Sequence, residues 1–327
     1  MGVSAMDRYY LGFDIGGTKC AALLGKRLPD GFEILRRVQI PTLAEKGPRQ
    51  TIDRLFAAAE GIFAEFPHCR PAAAGVSCGG PLNSQKGLVL SPPNLPGWDS
   101  VPITKLVSER FGIPAYLQND ANACALAEWL FGAGKGCRDM VFLPFGTGLG
   151  AGLILNGRLY DGASGMAGEA GHLRLSRFGP VGYGKAGSFE GFCSGGGIAQ
   201  LGRTVITEQL QMGIRTPLSE KLDSLTTRDI ADAARAGDGT AMEIIRTSAR
   251  YLGRGLAVLV DLLNPSRIVL GSIFVRCEDL FREEMEKTLR QEALACSVEE
   301  CAVVPAGLGE KIGDYAALCV AFNGPRD

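Results

Sequence analysis

Short apolar runs alternate with glycine turns along this chain, and the alternation predicts its elements. Tyr9 to Phe13 reads as a buried strand and Cys20 to Leu24 as a second, with Gly16-Gly17 at the tip of the hairpin between them. Phe32 to Ile40 predicts a third strand. From about Gln50 to Glu65, Ile52, Leu55, Phe56, Ala59, Ile62 and Phe63 recur at helical spacing on one face. Ala72 to Cys78 returns to strand. The middle repeats the opening: Met140 to Phe145 as strand, Gly146-Thr147-Gly148 as turn, Gly150 to Leu155 as strand, then Asn156-Gly157 as a hairpin turn. Two halves that each open with strand, glycine turn, strand make a weak internal repeat. The last third predicts a long helix from about Thr240 to Leu263, a strand at Arg267 to Leu270, another helix, a strand at Ala302 to Pro305 and a closing helix. This order fits an α/β fold of mixed sheets with helices on both faces, in two similar lobes around a cleft.

Composition narrows the class. With 327 residues the chain has room for two domains, and 46% hydrophobic against 21% charged residues describes a soluble globular protein. Its 34 basic and 35 acidic residues nearly cancel, so neither a nucleic-acid nor a membrane surface is expected. The longest apolar stretch, Leu256 to Leu263, is cut by Asp261 and is too short to cross a bilayer. No apolar signal segment opens the chain, and Met6 breaks the myristoylation pattern that Met1-Gly2 suggests, so a cytoplasmic location is expected. Ten cysteines are scattered without a single CxxC pair, the nearest two being Cys296 and Cys301. Thiols such as Cys20, Cys78, Cys124 and Cys319 sit in apolar runs and read as small core residues. Only His68 and His172 supply imidazole.

The candidate chemistry begins at Asp14. Gly16 and Gly17 let the backbone approach a ligand and offer N–H groups to an anion, Thr18 adds a hydroxyl and Lys19 a positive charge. A carboxylate beside a phosphate cradle repels the phosphate directly, so the natural partner of Asp14 is a divalent cation or a water on one. A tight hairpin with solvated Asp and Lys is the plainer alternative. Asn119-Asp120-Ala121-Asn122-Ala123 opens an alanine-rich helix running to about Phe131. Either Asn119 or Asp120 can cap it, which explains an Asp there with no chemistry; the other reading makes Asp120 a general base for an alcohol. Glu169, His172 and Glu190 offer acceptors for ligand hydroxyls, and Pro92 to Trp98 makes a rigid loop carrying Asn94. Gly146-x-Gly148-x-x-Ala151 matches a dinucleotide fingerprint formally, but a strand and an Asn-Gly turn follow where a helix is required.

Taken together, Asp14-Ile15-Gly16-Gly17-Thr18-Lys19, Pro93 to Trp98, Asn119 to Ala123, Gly146-Thr147-Gly148, Gly168 to His172 and Asn264 to Gly271 resemble the ROK family of sugar kinases and related repressors, within the hexokinase–actin superfamily. The resemblance runs from residue 10 to about residue 320. It implies a two-lobed actin-like ATPase (ribonuclease H-like) fold, with 1–118 plus 306–327 as the smaller lobe, 119–305 as the larger, and an interdomain cleft. It implies an ATP-dependent hexose 6-kinase, glucose being the first substrate to expect. N-acetylmannosamine, N-acetylglucosamine, allose and fructose stay open, as does a sugar sensor without catalysis. Asp120 matches the catalytic base. Asn94, Asn119, Asp120, Glu169, His172 and Glu190 match the hexose ligands. Gly16, Gly17, Thr18 and Lys19, with Gly146, Thr147 and Gly148, match the two phosphate hairpins. Asp14 matches the residue that helps hold Mg2+, and Gly271 the start of the loop near adenosine. The family also implies a homo-oligomer, dimer or tetramer. Its repressors place a DNA-binding domain before the sugar module; with the first strand beginning by about residue 9 and a near-neutral charge, a kinase is expected here rather than a repressor.

Three departures stand out. Most relatives hold a structural zinc with the histidine of Glu-x-x-His and three cysteines of Cys-x-Cys-Gly-x-x-Gly-Cys-x-Glu. Here those thiols are Val181, Tyr183 and Ser188, so no structural zinc is expected, Cys193 being single and one imidazole too few. Tyr183 and Phe189 are expected to pack where the metal would cross-link the loop. The adenosine loop reads Gly271-Ser272-Ile273-Phe274 instead of a run of glycines, and Gly309 to Asp314 departs from the usual small residues. Both bear on nucleotide choice.

Overall fold

A computed structural model describes residues 8–324, which group into two compact units. The first takes the chain through Gly136, the segment Leu159–Ala167, and the chain from Glu310 onward. Strands β1 (Tyr9–Ile15), β2 (Lys19–Leu28) and β3 (Gly31–Pro41) run antiparallel in succession. Helix α1 (Gly47–Glu65), β4 (Pro71–Cys78), the short hairpin β5 (Leu82–Asn83) and β6 (Leu88–Val89), α2 (Ile103–Phe111), β7 (Ala115–Asn119) and α3 (Asp120–Phe131) follow. β4 pairs parallel to β1 and β7 parallel to β4, so the sheet order is β3-β2-β1-β4-β7.

The period-2 pattern of β1 decides which helices cover which face. Leu11, Phe13 and Ile15 point to a core shared with Ile52, Leu55 and Ile62 of α1 and Val107 of α2, nearly all of it closed to water. Each such side chain contributes about 1.5–3 kcal/mol by its burial. On the opposite face lies α10 (Ile312–Phe322), so close that a Cβ on Gly75 would sit 2.1 Å from the Ala317 carbonyl oxygen. α3 packs beside α10, with Phe131 against Tyr315 and Phe322.

The second unit spans Cys137–Arg158 and Gly168–Gly309. It contains β8 (Met140–Leu143), β9 (Gly152–Leu155), the first residue of β10 (Arg158–Leu159), the hairpin β11 (Val181–Gly182) and β12 (Lys185–Ala186), and helices α4 (Phe189–Phe192), α5 (Gly195–Gln211), α6 (Thr227–Arg235) and α7 (Gly239–Leu263). β13 (Arg267–Leu270), α8 (Ile273–Glu292), α9 (Ala295–Glu300) and β14 (Ala302–Pro305) complete it. Its sheet order is β10-β9-β8-β13-β14, with β8 antiparallel to β9 and parallel to β13. This is the order of the first sheet again, so the internal repeat extends to whole sheets.

Residue 118/119, the expected lobe boundary, lies within the first compact unit. That point falls inside the β7–α3 corner, which stays whole in the first unit because Asn119 caps α3 and α3 lies on α10. The chain passes between the units at Gly136/Cys137, Arg158/Leu159, Ala167/Gly168 and Gly309/Glu310. α5 and α6 were not anticipated. α5 starts on three glycines, poor helix formers whose helix is secured by the Ser194 cap and by packing of Ile198, Leu201 and Ile206.

Candidate functional site

In the first unit, register places the chemistry on one edge of the sheet. Ile15, Cys78 and Asn119 form one row across the parallel strands β1, β4 and β7, and Asp14, Ser77 and Gln118 the row behind it. This is the carboxyl end of those strands, where α/β sheets take their ligands. The Gly16–Thr18 turn is closed by Gly16 N on Lys19 O (3.1 Å) and braced by Thr42, which donates its hydroxyl to Gly16 O (2.6 Å) and its N–H to Thr18 O (2.9 Å). Gly17 faces Asn94 so closely that an added Cβ would lie 2.5 Å from the Asn94 Cβ. Asn94 is exposed, whereas its neighbours Leu95 and Trp98 are buried and anchor the loop.

The capping alternatives separate cleanly. Asn119 is the cap: its Oδ1 accepts from Asn122 N at 2.7 Å. Asp120, the first helical residue, accepts from Ala121 N through Oδ1 at 2.8 Å, which leaves Oδ2 for a ligand. Its side chain opens to solvent, yet enough protein surrounds it for burial to push the carboxyl upward, the Ala121 N–H opposing. Burial also pushes Asp14 up to about 6; Arg37 and Lys19 oppose the rise, and the carboxylates of Asp314 and Asp120 add to it. Arg37 is itself held by Asp314, Nε to Oδ1 at 2.7 Å. Among the described residues no three acidic, thiol or imidazole groups converge as a ready metal site. Asp14, whose carboxyl feels the charges of Asp314 and Asp120 without joining them in a ligand set, instead suits a cation that brings phosphate oxygens as its other ligands.

In the second unit the glycine turn after β8 is tied to Glu190. Its Oε2 accepts from Leu149 N at 3.0 Å and lies 3.1 Å from where a Gly148 Cβ would be. Gly171 packs on Leu149, its added Cβ falling 2.0 Å from that carbonyl oxygen, and Gly168 packs on Ala151 in the same way, so this segment lies along the residues that lead from the turn into β9. Glu169 is exposed and His172 half-buried. A cavity of about 680 Å³ opens between Gly146-Thr147, the N-termini of α5 and α6, and the start of α8. Arg203, Arg228, Arg235 and Arg276 against Asp232 give its lining a positive balance suited to an anionic ligand. Gly271 lies outside the lining, buried against Phe142, and Ser272 and Ile273 form the wall in its place. Ser272 adopts φ 53°, ψ −105°, a backbone region that favours glycine.

The residues at the zinc positions do not fit a zinc ion. Ser188 caps α4 (Gly191 N to Oγ, 3.0 Å), and Tyr183 sets its ring edge-on to His172, 5.3 Å between centroids at 85°. Lys185 Nζ donates to the His172 carbonyl at 2.7 Å. Cys193 is buried and donates its thiol to Ser248 O at 3.5 Å. Phe189 is buried under Gly255, so it is Tyr183 that packs on the histidine. The purified protein is therefore expected to carry no stoichiometric zinc by elemental analysis, and a zinc-selective chelator should leave its Tm unchanged. One zinc per chain would contradict this.

Sequence reasoning missed the α5 and α6 helix starts, the arginines around the cavity, and Asp161. The helix starts carry a readable signal, Ser194 and Thr226 as caps. Arginines near a cavity, or an aspartate in a loop, carry none.

The ROK family profile matches residues 10–322. A glucokinase of Streptomyces coelicolor is 33% identical over 320 residues, 95% of this chain and 96% of that protein. Among solved structures, a ROK family glucokinase from Streptomyces griseus, in complex with glucose and AMPPNP, aligns over 97% of this chain and 100% of its own, at 31% identity and TM-score 0.76. A ROK family transcriptional regulator, a homologue of the E. coli Mlc protein, aligns over 96% of this chain and 78% of its own, at 25% identity and TM-score 0.83.

Proposed function

Since the chain belongs to the ROK family and has the actin-like fold of its kinases, we propose that it is an ATP-dependent carbohydrate kinase acting on the 6-hydroxyl of a hexose, glucose first. One observation carries the reading: Asn119 caps α3 and so frees a carboxylate oxygen of Asp120, on the strand-end edge that also bears Asp14. Asp120 accepts the proton of the attacking hydroxyl, and its raised proton affinity suits a base that must take a proton from an alcohol. Asn94, Asn119, Glu169, His172 and Glu190 orient the sugar. Gly16 to Lys19 and Gly146 to Gly148 hold phosphate oxygens, and the arginine-lined cavity takes the rest of the nucleotide. Asp14 is the residue to hold Mg2+, which supplies charge neutralisation to the phosphoryl group when bound.

The test is ADP release from Mg-ATP across glucose, allose, fructose, N-acetylglucosamine and N-acetylmannosamine, with hexose binding followed by calorimetry. Glucose-dependent release supports the proposal. Hexose binding without release from any sugar replaces it with a sugar sensor. The altered loop at the cavity wall, with Ser272 and Ile273 in the wall and Ser272 in a backbone region that favours glycine, favours this second reading.

A further inference from the structure

The segment Leu159–Ala167 belongs to the first unit, although the chain on either side of it belongs to the second. Asp161 supplies side-chain hydrogen bonds to its attachment, and Gly165 lies beside Ser84. Asp161 Oδ2 accepts from Gln118 Nε2 at 2.9 Å, and its Oδ1 accepts from Asn122 Nδ2 at 3.1 Å. Asn122 Nδ2 also donates to Gln118 Oε1 at 3.2 Å, which closes a triangle of two amides and one carboxylate. The loop is closed behind it by Ala167 N on Asp161 O at 3.0 Å.

The partners are specific in position. Gln118 is the second residue before Asp120 and Asn122 the second after it, one next to last in β7 and the other in the first turn of α3. A single carboxylate thus grips both sides of the corner that presents Asn119 and Asp120. Hydrogen bonds to an ionised acceptor are about twice as strong as neutral ones, and each amide reaches a different oxygen, so orientation is fixed as well as distance. Burial pushes the Asp161 carboxyl upward, with Gln118 and the nearby Ser84 hydroxyl opposing, so the charge is kept at a cost. An apolar residue would tie a loop down without that cost. Glu169 follows Asp161 by only eight residues.

We infer that Asp161 is a positioning residue for the acceptor sugar: it rivets the segment that runs into Glu169 to the corner that carries Asp120. The inference rests on the sugar-kinase reading above and adds a residue that touches neither sugar nor nucleotide.

Asp161→Ala and Asp161→Asn in the full chain test it, with hexose Kd by calorimetry, steady-state kinetics, Tm and amide exchange. Asp161→Ala should raise hexose Kd and KM about tenfold, leave kcat and the nucleotide KM within about threefold, and speed exchange in 159–169. Asp161→Asn keeps one acceptor and turns a donor toward the other amide, so it should fall between wild type and Asp161→Ala. Unchanged hexose affinity despite faster exchange would overturn the inference, leaving a plain tether. So would an equal loss in kcat and both KM values with a lowered Tm, the mark of general destabilisation. A wild-type chain that binds hexose but releases no ADP sinks the kinase reading alone, because the calorimetric comparison still decides the role of Asp161. A chain that binds no hexose overturns both.

Discussion

Asp120→Asn is expected to lower kcat by about 100- to 10,000-fold while hexose affinity stays within about threefold. The amide oxygen of Asn can still accept from Ala121 N, and the side chain can still hydrogen-bond a sugar hydroxyl. What it cannot do is take the proton. Stability should change little. The variant loses a negative charge at the start of α3, worth about 0.3–1 kcal/mol to the helix, but escapes the desolvation that raises the proton affinity of Asp120. The pH profile gives an independent check. With its carboxyl raised, Asp120 is protonated at a higher pH than an ordinary aspartate, so wild-type kcat should fall on the acid side earlier than a free carboxylate predicts. In Asp120→Asn that limb should be absent from the residual activity. A variant that keeps wild-type turnover would remove Asp120 from the chemistry and return it to helix geometry.

Much of the local geometry around the candidate site is legible in the sequence because periodicity and turn chemistry are local. Gly16-Gly17 lies at a hairpin tip because two apolar strands flank it, and the same logic located Gly146 to Gly148. Asn119 and Asp120 were both candidate caps from sequence. Only the geometry shows that Asn119 takes the cap and Asp120 does not. What stayed hidden was set by long-range partners. Glu190 braces the turn through Leu149 N, 41 positions away, and Asp161 meets Gln118 across 43. No spacing rule connects such residues, and neither side chain differs in type from a solvated surface acid. The attachment of α3 has the same origin: α3 follows a strand end that looks like a natural break, yet its packing on α10 is decided nearly 200 residues later. The topological repeat, by contrast, was visible in the weak echo of strand, glycine turn, strand, because each sheet begins with its own hairpin.

Asp14→Asn should separate activity from stability in opposite directions. Burial holds the Asp14 carboxyl at about 6, above the ordinary value near 4, so the native state binds the proton more tightly than the unfolded chain does. The stability this confers is fully present below about pH 4, declines as pH rises toward 6, and is lost above it. At pH 7.5 the ionised carboxylate therefore costs the free protein up to about 3 kcal/mol, or about 1–2 kcal/mol once partial exposure is allowed for. Asn carries no charge, so the variant should melt higher than wild type at pH 7.5 and lose that advantage near pH 4. With Mg-ATP present the order should reverse, because a bound cation stabilises the carboxylate of wild type and finds none in the variant. Turnover should drop at least about 100-fold, since the charge opposite the phosphoryl group is no longer held in place. Thermal melts at the two pH values, with and without Mg-ATP, read all of this without requiring activity. If Asp14→Asn melts lower than wild type at pH 7.5, the carboxylate is stabilising the fold through Arg37 and Lys19, and its assignment to a cation fails.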